Sequence, residues 1–109
     1  MSYAEIVRRM KESTEKVDSS KVQDLNAIYQ IELSGDDGGT FHISVTQGKP
    51  DLIEGPHQSP DMVISASTEN FLSMMDGKLS KTLALATRKL KLKGDMSLAV
   101  KLGDLHLLG

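Results

Sequence analysis

No cysteine occurs in the 109 residues, so neither a disulfide framework nor a thiolate metal site can form, and the chain suits a reducing compartment. No run approaches the roughly 20 apolar residues that span a bilayer, and the opening MSYAEIVRRMKESTEK lacks the apolar core of a signal peptide. A cytoplasmic location is expected. A cationic surplus is also missing: thirteen Lys and Arg against fifteen Asp and Glu leave a formal net charge of −2, without the global pull toward phosphate that nucleic-acid binders use. Any positive patch must be local. There is no internal repeat, low-complexity tract or linker, and the length suits one hydrophobic core rather than two, so residues 1–109 are expected to form a single domain.

Recognisable catalytic machinery is equally scarce. The chain has no Gly-x-Ser-x-Gly elbow and no His-Glu-x-x-His pair, and nothing in the spacing of its carboxylates singles out an acid or base. His42, His57 and His106 are far apart and none has a neighbour at metal-ligand spacing, so no metal is expected. His57 reads as a solvent-exposed residue of a proline-flanked loop, and His42 as part of the polar face of a strand. The glycines of Asp36-Asp37-Gly38-Gly39 lead into a strand rather than a helix, which makes the segment a turn instead of a phosphate or calcium loop. The reading is a non-enzyme without a cofactor.

What is present is an ordinary folding composition, 39% hydrophobic and 26% charged. Tyr3, Ile6, Val7, Met10 and Val17 repeat one helical face, Ser2-x-x-Glu5 offers a capping box, and Asp18-Ser19-Ser20 marks the end of that helix. Tyr29, Ile31 and Leu33 then alternate with Gln30 and Glu32, and Phe41, Ile43 and Val45 with their polar neighbours, predicting two strands joined by the glycine-rich hairpin 35–39. Turns at 47–50 and 55–60 set off short strands at 51–54 and 61–66, which reads as a four-stranded meander. Ser67 or Thr68 caps a helix carrying Phe71, Leu72 and Met75, with Gly77 at its left-handed end. A helix at 81–87 runs into an alternating strand at 88–93. Gly94 breaks that strand, Asp95 caps the next helix, and 96–102 is apolar on nearly every side. Strands followed by helices predict an α+β domain: a five-stranded, mostly antiparallel curved sheet with helices on one face.

The stretch Lys89-Leu90-Lys91-Leu92-Lys93-Gly94-Asp95-Met96, followed by a helix ending Ala99-Val100-Lys101-Leu102, resembles the signature region of the sterol carrier protein-2 family. Tyr29-Gln30-Ile31-Glu32-Leu33, Phe41-His42-Ile43, Asp61-Met62-Val63-Ile64, Phe71 and Gly77-Lys78-Leu79 extend the likeness over most of the chain. Two positions depart from it: shortly before the lysine strand, where the family often carries an aromatic and a glycine, this chain has Leu85 and Arg88. The C-terminal His106-Leu107-Leu108-Gly109 also lacks the peroxisomal tripeptide of some members, implying a stand-alone cytoplasmic form.

The resemblance implies an internal apolar cavity for a sterol, fatty acid, fatty acyl thioester or similar lipid, bound without catalysis. Phe71, Leu72, Met75, Leu79, Leu83, Leu85, Met96, Ala99, Val100, Leu102 and Leu105 are its expected lining. For any one leucine or methionine, completion of the core is the simpler reading, and only the grouping joined to the resemblance marks a cavity. Lys89, Lys91 and Lys93 are expected on one face of the last strand with Leu90 and Leu92 on the other. That stripe suits either an anionic headgroup or membrane surface, or a solvated edge guarded against strand pairing. An accessory module that dimerises or binds a protein partner through the same fold, with 105–108 as a contact, is the alternative.

Overall fold

A computed structural model describes residues 2–17, 20 and 23–104, apart from the side chains of Ser2, Gly103 and Asp104. The expected capping box at Ser2 and the tail 105–108 with Leu105 and His106 lie outside the described residues, and the first helix ends at Glu15, ahead of the Asp18-Ser19-Ser20 stretch expected to close it. In chain order the elements are α1 (Ser2–Glu15), β1 (Ala27–Ser34), β2 (Gly39–Thr46), β3 (Lys49–Glu54), β4 (Met62–Ser67), α2 (Thr68–Met75), α3 (Lys81–Ala86), β5 (Leu90–Gly94) and α4 (Met96–Asp104). The fold is α+β, an open five-stranded sheet of order β3-β2-β1-β4-β5 with four helices.

Alternation decides which side of the sheet is buried. Tyr29, Ile31 and Leu33 of β1, Phe41, Ile43 and Val45 of β2, Leu52 of β3, and Met62, Ile64 and Ala66 of β4 share one core with Ile6, Val7 and Met10 of α1 and Phe71 and Met74 of α2. In α1 the spacing of Ile6, Val7 and Met10 places all three on the sheet side. A bridge of 2.8 Å from the Arg9 guanidinium to Asp76 fastens that helix to the end of α2.

The expected meander stops at β3. β4 does not pair with β3; it lies parallel to β1, with Tyr29 opposite Met62 and Ile31 opposite Ile64. The other three strand pairs are antiparallel. The physical reason lies in the segment 55–61, which crosses the polar face of the sheet instead of turning back as a hairpin. Its Gly55 carbonyl sits 2.8 Å from His42 Nδ1, and its His57 N–H donates to the Gln30 side chain at 2.8 Å. Asp61 then exchanges bonds with Ile28, its N–H donating to the Ile28 carbonyl and its carboxylate accepting the Ile28 N–H. Gln30 and His42 are thereby buried, and His57 is half-buried with its ring centroid 5.2 Å from that of His42, rather than exposed as expected.

The helix signals after β4 are local and strong. The Ser67 hydroxyl accepts the Asn70 N–H and caps α2, and the Ser80 hydroxyl accepts the Leu83 N–H and caps α3. Arg88 adopts φ +62°, a left-handed conformation that favours glycine, at the position where the family resemblance implies one. This turn also corrects the lysine stripe: Lys89 lies before β5, its N–H held by the Ala84 carbonyl at 2.8 Å, and only Lys91 and Lys93 belong to the strand. Gly94 closes β5 at φ +117°, where any Cβ would collide with the Asp61 carbonyl oxygen. The Asp95 carboxylate accepts the Ser97 hydroxyl at 2.7 Å and the Ser97 N–H at 3.0 Å, and these bonds hold its pKa below the ordinary carboxylate value.

Candidate functional site

The β4–β5 end of the sheet is covered less completely than the rest. Register places Ile64 opposite Leu92 and Ala66 opposite Leu90, and Ile64, Leu90 and Leu92, with Met62, form an apolar floor. α3 stands over one side of it. Lys81 and Leu85, four residues apart, share the helix face toward the gap, while Ala84 is fully buried beneath. α4 stands over the other side with Ala99, Val100 and Leu102. Between them lies a pocket of about 250 Å³ lined by Met62, Ile64, Lys81, Leu85, Leu90, Leu92, Ala99, Val100 and Leu102. Leu85 is 42% exposed and Val100 70%, so both lining residues are open to solvent.

One buried hydroxyl anchors the roof. The Tyr29 ring lies in the core, and its phenol donates to the Leu98 carbonyl of α4 at 2.8 Å. Burial, then the charges of Asp61 and Asp95, push the phenol up to about 12 from its ordinary 10.0. It therefore remains a donor across the neutral range.

Of the expected lining residues, Leu85, Ala99, Val100 and Leu102 come together in this pocket. Phe71 is core, and Leu72, Met75 and Leu79 pack half-buried against that core away from the gap. Leu83 and Met96, each 54% exposed, project from α3 and α4 outside the lining. Sequence reasoning missed Met62, Ile64, Leu90 and Leu92, all of which read as ordinary strand core, and Lys81. The signal for the floor was the alternation of β4 and β5 itself, since a strand's inward face supplies core and pocket wall alike. Lys91 and Lys93 lie opposite Ser65 and Val63, on the face of β5 turned away from Leu90 and Leu92.

Among the described residues no three potential metal ligands converge and no helix is long and apolar enough to cross a membrane. The gap presents, among the described residues, eight apolar side chains and the Lys81 ammonium.

Residues 7–106 match the profile of the SCP-2 sterol transfer family. The chain is 44% identical over 85 residues to hydroxysteroid dehydrogenase-like protein 2 of Bos taurus, an alignment covering 77% of this chain and 20% of that protein. The chain thus spans about a fifth of the length of the curated relatives it matches. Among solved structures it is similar to the sterol carrier protein 2 like 2 of Aedes aegypti, with a TM-score of 0.79 and 26% identity, covering 96% of each chain. A palmitated form of that mosquito protein, known from a solution structure, matches with a TM-score of 0.73 and 26% identity over 89% of this chain and 86% of that one.

Proposed function

The chain belongs to the SCP-2 sterol transfer family, and from that premise we propose that it acts as one lipid-binding unit, holding an apolar chain in the pocket between β4, β5, α3 and α4 without catalysing a reaction. The observation that carries this reading is the pocket itself: among the described residues eight of nine lining it are apolar, and two of these, Leu85 and Val100, are open to solvent. Its volume of about 250 Å³ is near the lower end of small-molecule sites, which begin at roughly 300 Å³. A slim alkyl chain suits such a gap better than a rigid ring system, and the palmitated mosquito relative supports an acyl chain as the occupant. Each methylene withdrawn from water contributes about 0.8 kcal/mol, so affinity grows with chain length without any polar contact.

Loading from an anionic membrane surface is part of the same proposal. Leu83, Leu85, Met96 and Val100 are exposed on α3 and α4, and residues 78–101 carry seven Lys and Arg against Asp95 alone. Of these cations Lys81 and Lys101 are carried by α3 and α4 themselves and are exposed, and each Lys near an anionic bilayer contributes about 1 kcal/mol.

The test is Ala99→Phe, which fills the pocket from its half-buried wall. Displacing two methylenes of ligand should weaken palmitate binding about tenfold, read by fluorescence displacement, with the thermal midpoint little changed. Unaltered affinity, or a wild-type protein that takes up no lipid from a broad panel, would sink the reading.

A further inference from the structure

Resting on the pocket just described as the ligand site, we propose that Lys81 selects the ligand's headgroup: the occupant is a single-chain anionic amphiphile whose carboxylate or phosphate meets the Lys81 ammonium at the pocket mouth. Among the described lining residues Lys81 is the one that carries charge, and the other eight are apolar. Its ammonium is exposed and has no carboxylate within ion-pair distance among the described residues, whereas Arg8 and Arg9 are both engaged by acidic neighbours. On α3 it lies one turn from Leu85, so an alkyl chain running past Leu85 and Leu92 presents its polar end within reach of the lysine.

The cations that the sequence makes most conspicuous are poorly placed for this task. Lys91 and Lys93 project from the opposite face of β5 to the pocket-lining Leu90 and Leu92, and Lys89 precedes the strand. Among the described residues no acidic side chain lines the pocket, so a cationic headgroup meets only a like charge from them. Lysine is a flexible point charge rather than a rigid fork, and it therefore discriminates by the sign of the headgroup and accepts carboxylate or phosphate alike.

Calorimetric titration of the full chain with decanoate, decyl phosphate and decanol, each below its micelle concentration, separates these cases. In Lys81→Gln the two anions should bind roughly two- to fivefold more weakly, the range carried by an exposed ion pair, and more weakly still in Lys81→Glu, while decanol is unaffected. The loss should shrink as salt is added, and a Lys91→Gln/Lys93→Gln double variant should bind all three probes like wild type. Loss for only one of the anions would narrow the subsite to that anion's headgroup, carboxylate or phosphate, and still support Lys81. Equal weakening of the alcohol and the anions, or loss in the double variant with none at Lys81, would overturn the assignment while leaving the pocket standing. If none of the probes binds the wild-type protein, the pocket reading falls and takes this one with it.

Discussion

Where β1, β2 and β3 meet α1 and α2, Ile6, Val7, Met10, Phe41, Ile43 and Phe71 are shut away from water and Arg9 clasps Asp76 across the helices. Where β4 and β5 meet α3 and α4, the strands are just as apolar, yet Leu83, Leu85, Met96 and Val100 remain exposed and a gap of about 250 Å³ is left. The two ends contain similar residue types and differ in how completely the helices cover the sheet. One end holds the fold together through close packing. The other leaves apolar surface that a guest can complete, at a cost in stability that the first end must carry.

The largest test of this contrast is a matched pair of truncations. Phe41→Ala should destabilise by about 3–5 kcal/mol, as expected for an aromatic removed from a packed core, whereas Val100→Ala should stay within about 0.5 kcal/mol. Urea unfolding of both decides it, and similar losses would mean that the ends are packed alike. A smaller effect is expected from Tyr29→Phe, which removes the donor to the Leu98 carbonyl and should cost about 1 kcal/mol. Hydrogen exchange should then quicken in α4 and not in α1. The same bond carries a pH signature: because folding raises the phenol from 10.0 to about 12, its stabilisation is complete below the unfolded value and disappears as pH rises through the folded one. Loosening of α4 below pH 9 would contradict that assignment. The smallest change, and the only gain, is expected at Arg88, whose φ of +62° strains a side-chain-bearing residue. Arg88→Gly should raise stability by about 0.5–1 kcal/mol, measured as an upward shift of the thermal midpoint, and a downward shift would show that the arginine side chain contributes more than the strain removes.

Much of this architecture was legible from local pattern. The two-residue alternation of Tyr29, Ile31, Phe41 and Ile43 identified the buried sheet face, and the serine before Phe71 identified a helix start, because both signals act within a few residues. Pairing partners were not legible in the same way. Met62 to Ala66 alternates identically whether it lies beside β3 or beside β1, and only the contacts of Gly55, His57 and Asp61 on the sheet's polar face choose the latter. The pocket shared this difficulty. Leu90 and Leu92 pointed inward as the alternation required, but whether an inward face meets a helix or a gap depends on where α3 and α4 come to rest. Lys81 had no distinguishing neighbour in sequence, since its significance arises from Leu92, Ala99 and Leu102 across the gap.

The parallel seam between β1 and β4 has a further consequence for chain entropy. The β1–β2 hairpin closes between Leu33 and Gly39, six residues apart, while the seam joins Tyr29 to Met62, thirty-three residues apart. By the logarithmic scaling of loop closure, the longer loop carries roughly 1.5 kcal/mol of additional entropic cost. Met62 and Ile64 of the pocket floor stand in that seam, opposite Tyr29 and Ile31. In the proposed reading, an alkyl chain seated against Met62 and Ile64 would favour the closed topology as well as fill a hole, since whatever binds only the joined sheet shifts the balance toward joining.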